Sequence, residues 1–97
     1  MMGDRQMTPE QRKLARHALG LPNKTNRSYR NYFTTRKVTP DHAAWKSMAG
    51  AGWAYKAPRS WVARSDTEVF ILTRAGALLA LDEGESLDPE DFPEGGE

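Results

Sequence analysis

The residues that could do chemistry are few. His17 and His42 are the only histidines, and the chain has no cysteine. Structural zinc needs four close nitrogen or sulfur ligands, so neither histidine is read as a metal ligand, and no cofactor is expected. Ser47, Ser60 and Ser65 are present, but none stands in a strand-to-helix elbow that would expose an activated hydroxyl. Acidic residues crowd together only from Asp82 onward, in a stretch too hydrated to hold a tuned acid–base pair. Gly50-Ala51-Gly52 lacks the third glycine of a phosphate-cradling loop, with Tyr55 in its place, and it ends a helical pattern where such a loop must open one. The chain therefore reads as a binding protein and not an enzyme.

One pattern survives that elimination. Arg27, Arg30, Arg36, Lys37, Lys46, Lys56, Arg59 and Arg64 alternate with Tyr29, Tyr32, Phe33, Trp45, Trp53, Tyr55 and Trp61. Cationic side chains neutralise phosphates and aromatic faces stack on bases, so these eight cations are the candidate nucleic-acid contacts. A plainer reading stands beside it: most of the aromatics build the core, and the cations form an ordinary solvated face. The charge distribution favours the first. Residues 1–64 carry thirteen Lys and Arg against three acids, a balance of +10, while residues 82–97 carry eight acids and no base, −8. A basic body joined to an acidic tail points to a polyanionic partner, an acidic interaction segment, or both.

The elements that must position these residues are signed by caps and periodicity. Thr8, Pro9 and Gln11 make a capping box with proline at the first helical position, Leu14, Ala15, Ala18 and Leu19 form the apolar stripe, and Gly20 stops the helix. Residues 28–37 suit either state; the spacing of Tyr29, Tyr32 and Phe33 favours one or two helical turns. Thr39-Pro40 opens a second helix with Ala44, Trp45 and Met48 on its buried face. Residues 53–57 read as a strand. Residues 68–72, Glu-Val-Phe-Ile-Leu, read as a second strand with too many successive apolar positions to be half exposed. Thr73 then caps a short helix holding Ala75, Ala77, Leu78, Leu79 and Leu81. Trp45, Phe70, Ile71, Leu78 and Leu79 are the expected core anchors.

At 97 residues the chain has the size of one domain. The division is a basic domain over 1–81 and an acidic tail over 82–97, whose composition cannot bury enough apolar surface to order itself. Leu87 and Phe92 among those acids have the pattern of a short docking segment. No apolar run approaches the roughly 18 residues that span a bilayer, and residues 1–5 lack the apolar segment of a secretory signal. The expected location is the cytoplasm, with no membrane partner.

Two resemblances add to this reading. Met48-Ala49-Gly50-Ala51-Gly52-Trp53 and Leu72-Thr73-Arg74-Ala75-Gly76 resemble the helix-to-wing junction and the following helix start of the MarR-like winged-helix regulators. That likeness implies an α+β fold: two or three helices and a short antiparallel hairpin, with Lys46 on the recognition helix and Lys56, Arg59 and Arg64 on the wing. The whole chain, including Leu19-Gly20-Leu21-Pro22-Asn23 and Tyr29-Arg30-Asn31-Tyr32-Phe33, is similar to small temperate-phage and prophage proteins. That second likeness implies a phage setting in a host cell. There the alternative function is a protein-binding inhibitor of a host defence complex, of the anti-CRISPR type.

Overall fold

The computed structural model describes residues 6–62 and 64–92. Helices α1 (Pro9–Leu19), α2 (Pro40–Gly50) and α3 (Arg74–Ala80) and strands β1 (Phe33–Arg36), β2 (Ala54–Lys56) and β3 (Thr67–Leu72) follow in the order α1-β1-α2-β2-β3-α3. The strands form one antiparallel sheet in the order β1-β3-β2. The fold is a small α+β domain.

Local chemistry explains each helix end. The Thr8 hydroxyl accepts from the Gln11 N–H while the Gln11 side chain accepts from the Thr8 N–H, closing the expected capping box. Gly20 takes the left-handed conformation, φ +81°, that ends α1. A Cβ there would also displace the exposed Tyr29 ring, which packs against the glycine. Thr39 and Thr73 cap α2 and α3 through their hydroxyls.

Residues 28–37 depart from the expected helical turns. Phe33 to Arg36 pair with Phe70 to Thr67 as the third strand. The β-branched Thr34 and Thr35 suit that state, and strand pairing satisfies a whole edge of β3 that helical turns would leave bare. Asn31 extends the pairing with its side chain: Leu72 N–H donates to Asn31 Oδ1 at 3.0 Å, and Asn31 Nδ2 donates to the Leu72 carbonyl at 3.0 Å.

Trp45, Phe70, Met48, Leu72 and Leu19 are the large fully buried side chains. Trp45 stacks on Phe70, with centroids 5.7 Å apart and planes at 17°, and packs on Phe33 at 5.4 Å. The expectation for α3 needs correction. Leu78 and Leu79 are exposed, and the helix buries Gly76, Ala77 and Ala80 instead. Small side chains let α3 approach α1, whose buried residues are Ala15, Ala18 and Leu19.

Gly76 shows how tight that packing is. A Cβ would stand 2.1 Å from the Trp53 carbonyl oxygen, a backbone atom. Alanine is worth about 1 kcal/mol over glycine within a helix. Gly76→Ala should nevertheless cost about 1–3 kcal/mol, because α3 must shift away from the strand. A urea denaturation midpoint at or above that of the parent protein would contradict this.

Residues 82–92 are also corrected, from disordered tail to packed segment. Phe92 is 6% exposed and belongs to the core, and Leu87 packs against it. Ser86 N–H donates to the Asn26 carbonyl and Ser28 N–H to the Ser86 carbonyl. Ser28 is fully buried, and its hydroxyl accepts from the Asp88 N–H at 2.9 Å. Composition alone hides this, because Asp82 and Glu85 pair with Arg12 and Arg16 of α1 while Leu87 and Phe92 reach the core. Residues 93–97 of the expected tail lie outside the described residues.

Candidate nucleic-acid interface

The sheet gathers part of the expected cation set at one end. Arg36 closes β1 opposite Thr67, and the Lys37 N–H donates to the Asp66 carbonyl at 2.9 Å. Lys37, Lys56 and Arg59 line a single hollow of about 250 Å3, together with the acidic Glu68 and with Val62 and Thr67. Arg64 adds a fifth cation nearby, held by Asp66 through contacts of 3.1 and 3.3 Å. The local acids are Asp66, kept below its usual range by the Arg64 hydrogen bond, and Glu68. Five cations against two carboxylates leave this end electropositive.

Glu68 is the better anchored acid. His42 Nδ1 accepts from the Val38 N–H at 3.3 Å, which places the ring proton on Nε2, 2.6 Å from Glu68 Oε1. Lys56 Nζ stands 3.2 Å from Glu68 Oε2. The hydrogen bond from His42, then Lys56, holds the carboxyl below its ordinary value against the opposing effect of burial. His42 thus ties α2 to β3, a role its place beside the helix cap did not suggest. Between Lys37 and this pair, Val38 adopts φ +63° and is 94% exposed. A β-branched residue in that region costs on the order of 1–2 kcal/mol; here it sits in the tight turn that delivers Lys37 to the hollow.

The other three expected contacts lie elsewhere. Lys46 is exposed on α2. Arg27 is exposed in the loop whose backbone pairs with Ser86. Arg30 is half-buried: its Nη2 donates to the His17 carbonyl at 2.7 Å, and its guanidinium lies 5.4 and 5.9 Å from the Tyr29 and Tyr32 ring centres. It is a packing residue in this arrangement.

A second charged assembly was not foreseen. Arg16 grips Glu85 with two contacts, Nη1–Oε1 at 2.6 Å and Nη2–Oε2 at 2.8 Å, and its Nη1 also donates to the Ala80 carbonyl. Arg12 donates to the Leu81 carbonyl and to the Asp82 carboxylate. The signal available in sequence was the i, i+4 pair Arg12 and Arg16 on one face of α1, matched by the first acids after α3. These cations are spent on residues 82–85.

The Arg16 hydrogen bond, with the Asp82 N–H and nearby charges, lowers Glu85 from 4.5 to about 2 against the cost of burial. A carboxylate with a depressed folded-state value stabilises fully above its unfolded value, and that contribution is lost as pH falls from about 4.5 towards 2. Glu85→Gln should therefore cost about 1–3 kcal/mol at neutral pH and weaken the loss of stability through that acid window. Urea titrations across the pH range check both, and an unchanged acid limb would remove Glu85 from the account.

No family model matches the chain, and comparison with curated proteins and with solved structures returns no match.

Proposed function

We propose that this protein is a non-enzymatic nucleic-acid-binding module working through the electropositive end of its sheet. One observation carries the reading: Lys37, Lys56 and Arg59 converge on one hollow, with Arg36 and Arg64 beside it. The hollow is small and open to solvent, suited to a phosphate group and too small for a cofactor-sized ligand. The winged-helix likeness belongs to the same proposal. Helix α2, the β2–β3 hairpin and the Thr73-capped α3 follow one another in the order that likeness implies. The phage or prophage setting is the biological context we assign to it.

Neutralising about five phosphates should lower affinity by about 10²–10³ between about 50 and about 200 mM salt. Replacing Lys37 and Arg59 together by alanine should flatten the plot of log affinity against log salt by about two. Lys46→Ala should leave that plot nearly unchanged. Fluorescence anisotropy with labelled oligonucleotides measures all three. Absence of binding to both single-stranded and duplex probes at low salt would sink the proposal.

The rival reading, an inhibitor that docks on a host defence complex, has its own support. Val38 and Trp61 present apolar surface beside the same cations, Trp61 in the turn that follows Arg59. Capture of host proteins that persists after nuclease treatment, and that Trp61→Ala with Val38→Asn abolishes, would favour it.

A further inference from the structure

We propose that the face of the sheet turned away from α2 binds single-stranded nucleic acid, with bases stacked on Tyr55 and Tyr32 and phosphates held by Arg36 and the cations at the sheet's end. The inference rests on the nucleic-acid reading above and names the form of polymer recognised. Antiparallel register sorts the side chains. Phe33, Thr35, Ala54, Lys56, Glu68, Phe70 and Leu72 share the face towards α2, where Trp45 and His42 meet Phe70 and Glu68 and Lys56 pairs with Glu68. Their neighbours Thr34, Arg36, Tyr55, Thr67, Val69 and Ile71 must then share the opposite face. The cluster built with the three helices takes Phe33, Ala54, Phe70 and Leu72 from the sheet. Val69 and Ile71 lie outside it but are themselves buried, 6% and 8% exposed, so the accessible surface of the opposite face is that of its flanking strands.

That opposite face has the composition a single strand needs. Tyr55 stands directly across from Ile71 and is 49% exposed. Continuing the β1 alternation by one residue puts Tyr32, 48% exposed, on the other flank of Ile71. Tyr55 in β2 and Tyr32, just before β1, then stand two strand spacings apart, about 10 Å. Arg36 lies four residues along β1 from Tyr32, roughly 13 Å, leading towards Lys37 and Arg59, while Lys56 reaches that end from the helix side beside Glu68. None of the six strand residues on this face is acidic, since Glu68 points to the helix side. Aromatic platforms beside a basic track are how single strands are held without sequence preference.

A helix laid in a duplex groove is the competing arrangement, and α2 is poorly equipped for it. Its exposed residues are Pro40, Asp41, Ala43, Lys46, Ser47 and Gly50, one cation and one acid. Groove recognition asks several side chains of one helix to reach base edges and phosphates.

Anisotropy titrations with labelled oligothymidylate, oligouridylate and a duplex of equal length test this. The single strands should bind more tightly than the duplex. Tyr55→Ala and Tyr32→Ala should each weaken single-strand binding by about 5- to 100-fold, with little change on the duplex, and Tyr55→Phe, which keeps the ring, should restore it. Circular dichroism confirms that these exposed-site variants fold. A preference between the two single strands supports the inference. Duplex binding equal to or tighter than single-strand binding, or a Tyr55→Ala protein that binds single strands like the parent, overturns this inference and leaves the wider reading standing. No binding to any probe at low salt overturns both.

Discussion

Replacing Trp45 by alanine should lower the stability of this domain by about 3–5 kcal/mol. The side chain is fully buried and is the largest in the core. Its loss leaves a cavity between α2 and the sheet, bounded by Phe33 and Phe70, and removes two aromatic pairings worth roughly 0.5–1.5 kcal/mol each. A domain of this length holds about 5–10 kcal/mol in all, so the variant should be folded only marginally at room temperature. Trp45→Phe separates packing from polarity. The Trp45 Nε1 has no hydrogen-bond partner among the described residues, and an unpaired buried donor costs on the order of 1–3 kcal/mol. Phenylalanine sheds that donor while keeping most of the apolar surface, so it should cost clearly less than alanine. Urea denaturation read by circular dichroism gives both numbers, and a midpoint for the alanine variant near that of the parent protein would show that Trp45 does not anchor the core.

Trp45 was legible in the sequence because local signals agreed around it. Thr39-Pro40 marks the start of α2, and Trp45 and Met48 then fall three apart on one face of a helix whose first turn is fixed. The caps of α1 and α3 were readable for the same reason: each is settled within four residues. What stayed hidden depends on partners far along the chain. Residues 33–36 become a strand because β3 offers them an edge; Thr34 and Thr35 suit that state, but the partner that decides it lies more than thirty residues along the chain. Leu78 and Leu79 look like core residues on hydropathy, yet the close approach of α3 to α1 and to the Trp53 backbone selects the side with Gly76, Ala77 and Ala80. The candidate interface divided along the same line. The cations that sit near one another in sequence, Arg36 with Lys37 and Arg59 with Arg64, arrive at the sheet's end together once β1 and the hairpin are placed. Arg27, Arg30 and Lys46 depend on surfaces that the sequence pattern could not assign.

Ending the chain at Leu81 should unfold the protein or leave it barely folded, contrary to what an acidic tail of that composition suggests. Electrostatics alone would predict a gain in affinity for nucleic acid, since removal of −8 leaves a body of +9 and frees a basic face from a tethered competitor. The contacts argue otherwise. Asp82 and Glu85 occupy Arg12 and Arg16 on α1, not Lys37, Lys56 or Arg59 at the sheet's end, so their loss exposes a different surface. Phe92 is buried and its carbonyl accepts from Arg74 at 3.1 Å; its burial is worth about 2–3 kcal/mol. The Arg16–Glu85 pair adds about 1–3 kcal/mol, and the buried Ser28 loses the donor to its hydroxyl. Together these approach the whole stability expected of the domain. The point variant Phe92→Ala keeps every charge and should still lower stability by about 2–4 kcal/mol, which ties the loss to packing instead of to charge. A truncated protein with a parent-like thermal transition and tighter oligonucleotide binding at low salt would mean that residues 82–92 screen the basic face and contribute nothing to the core.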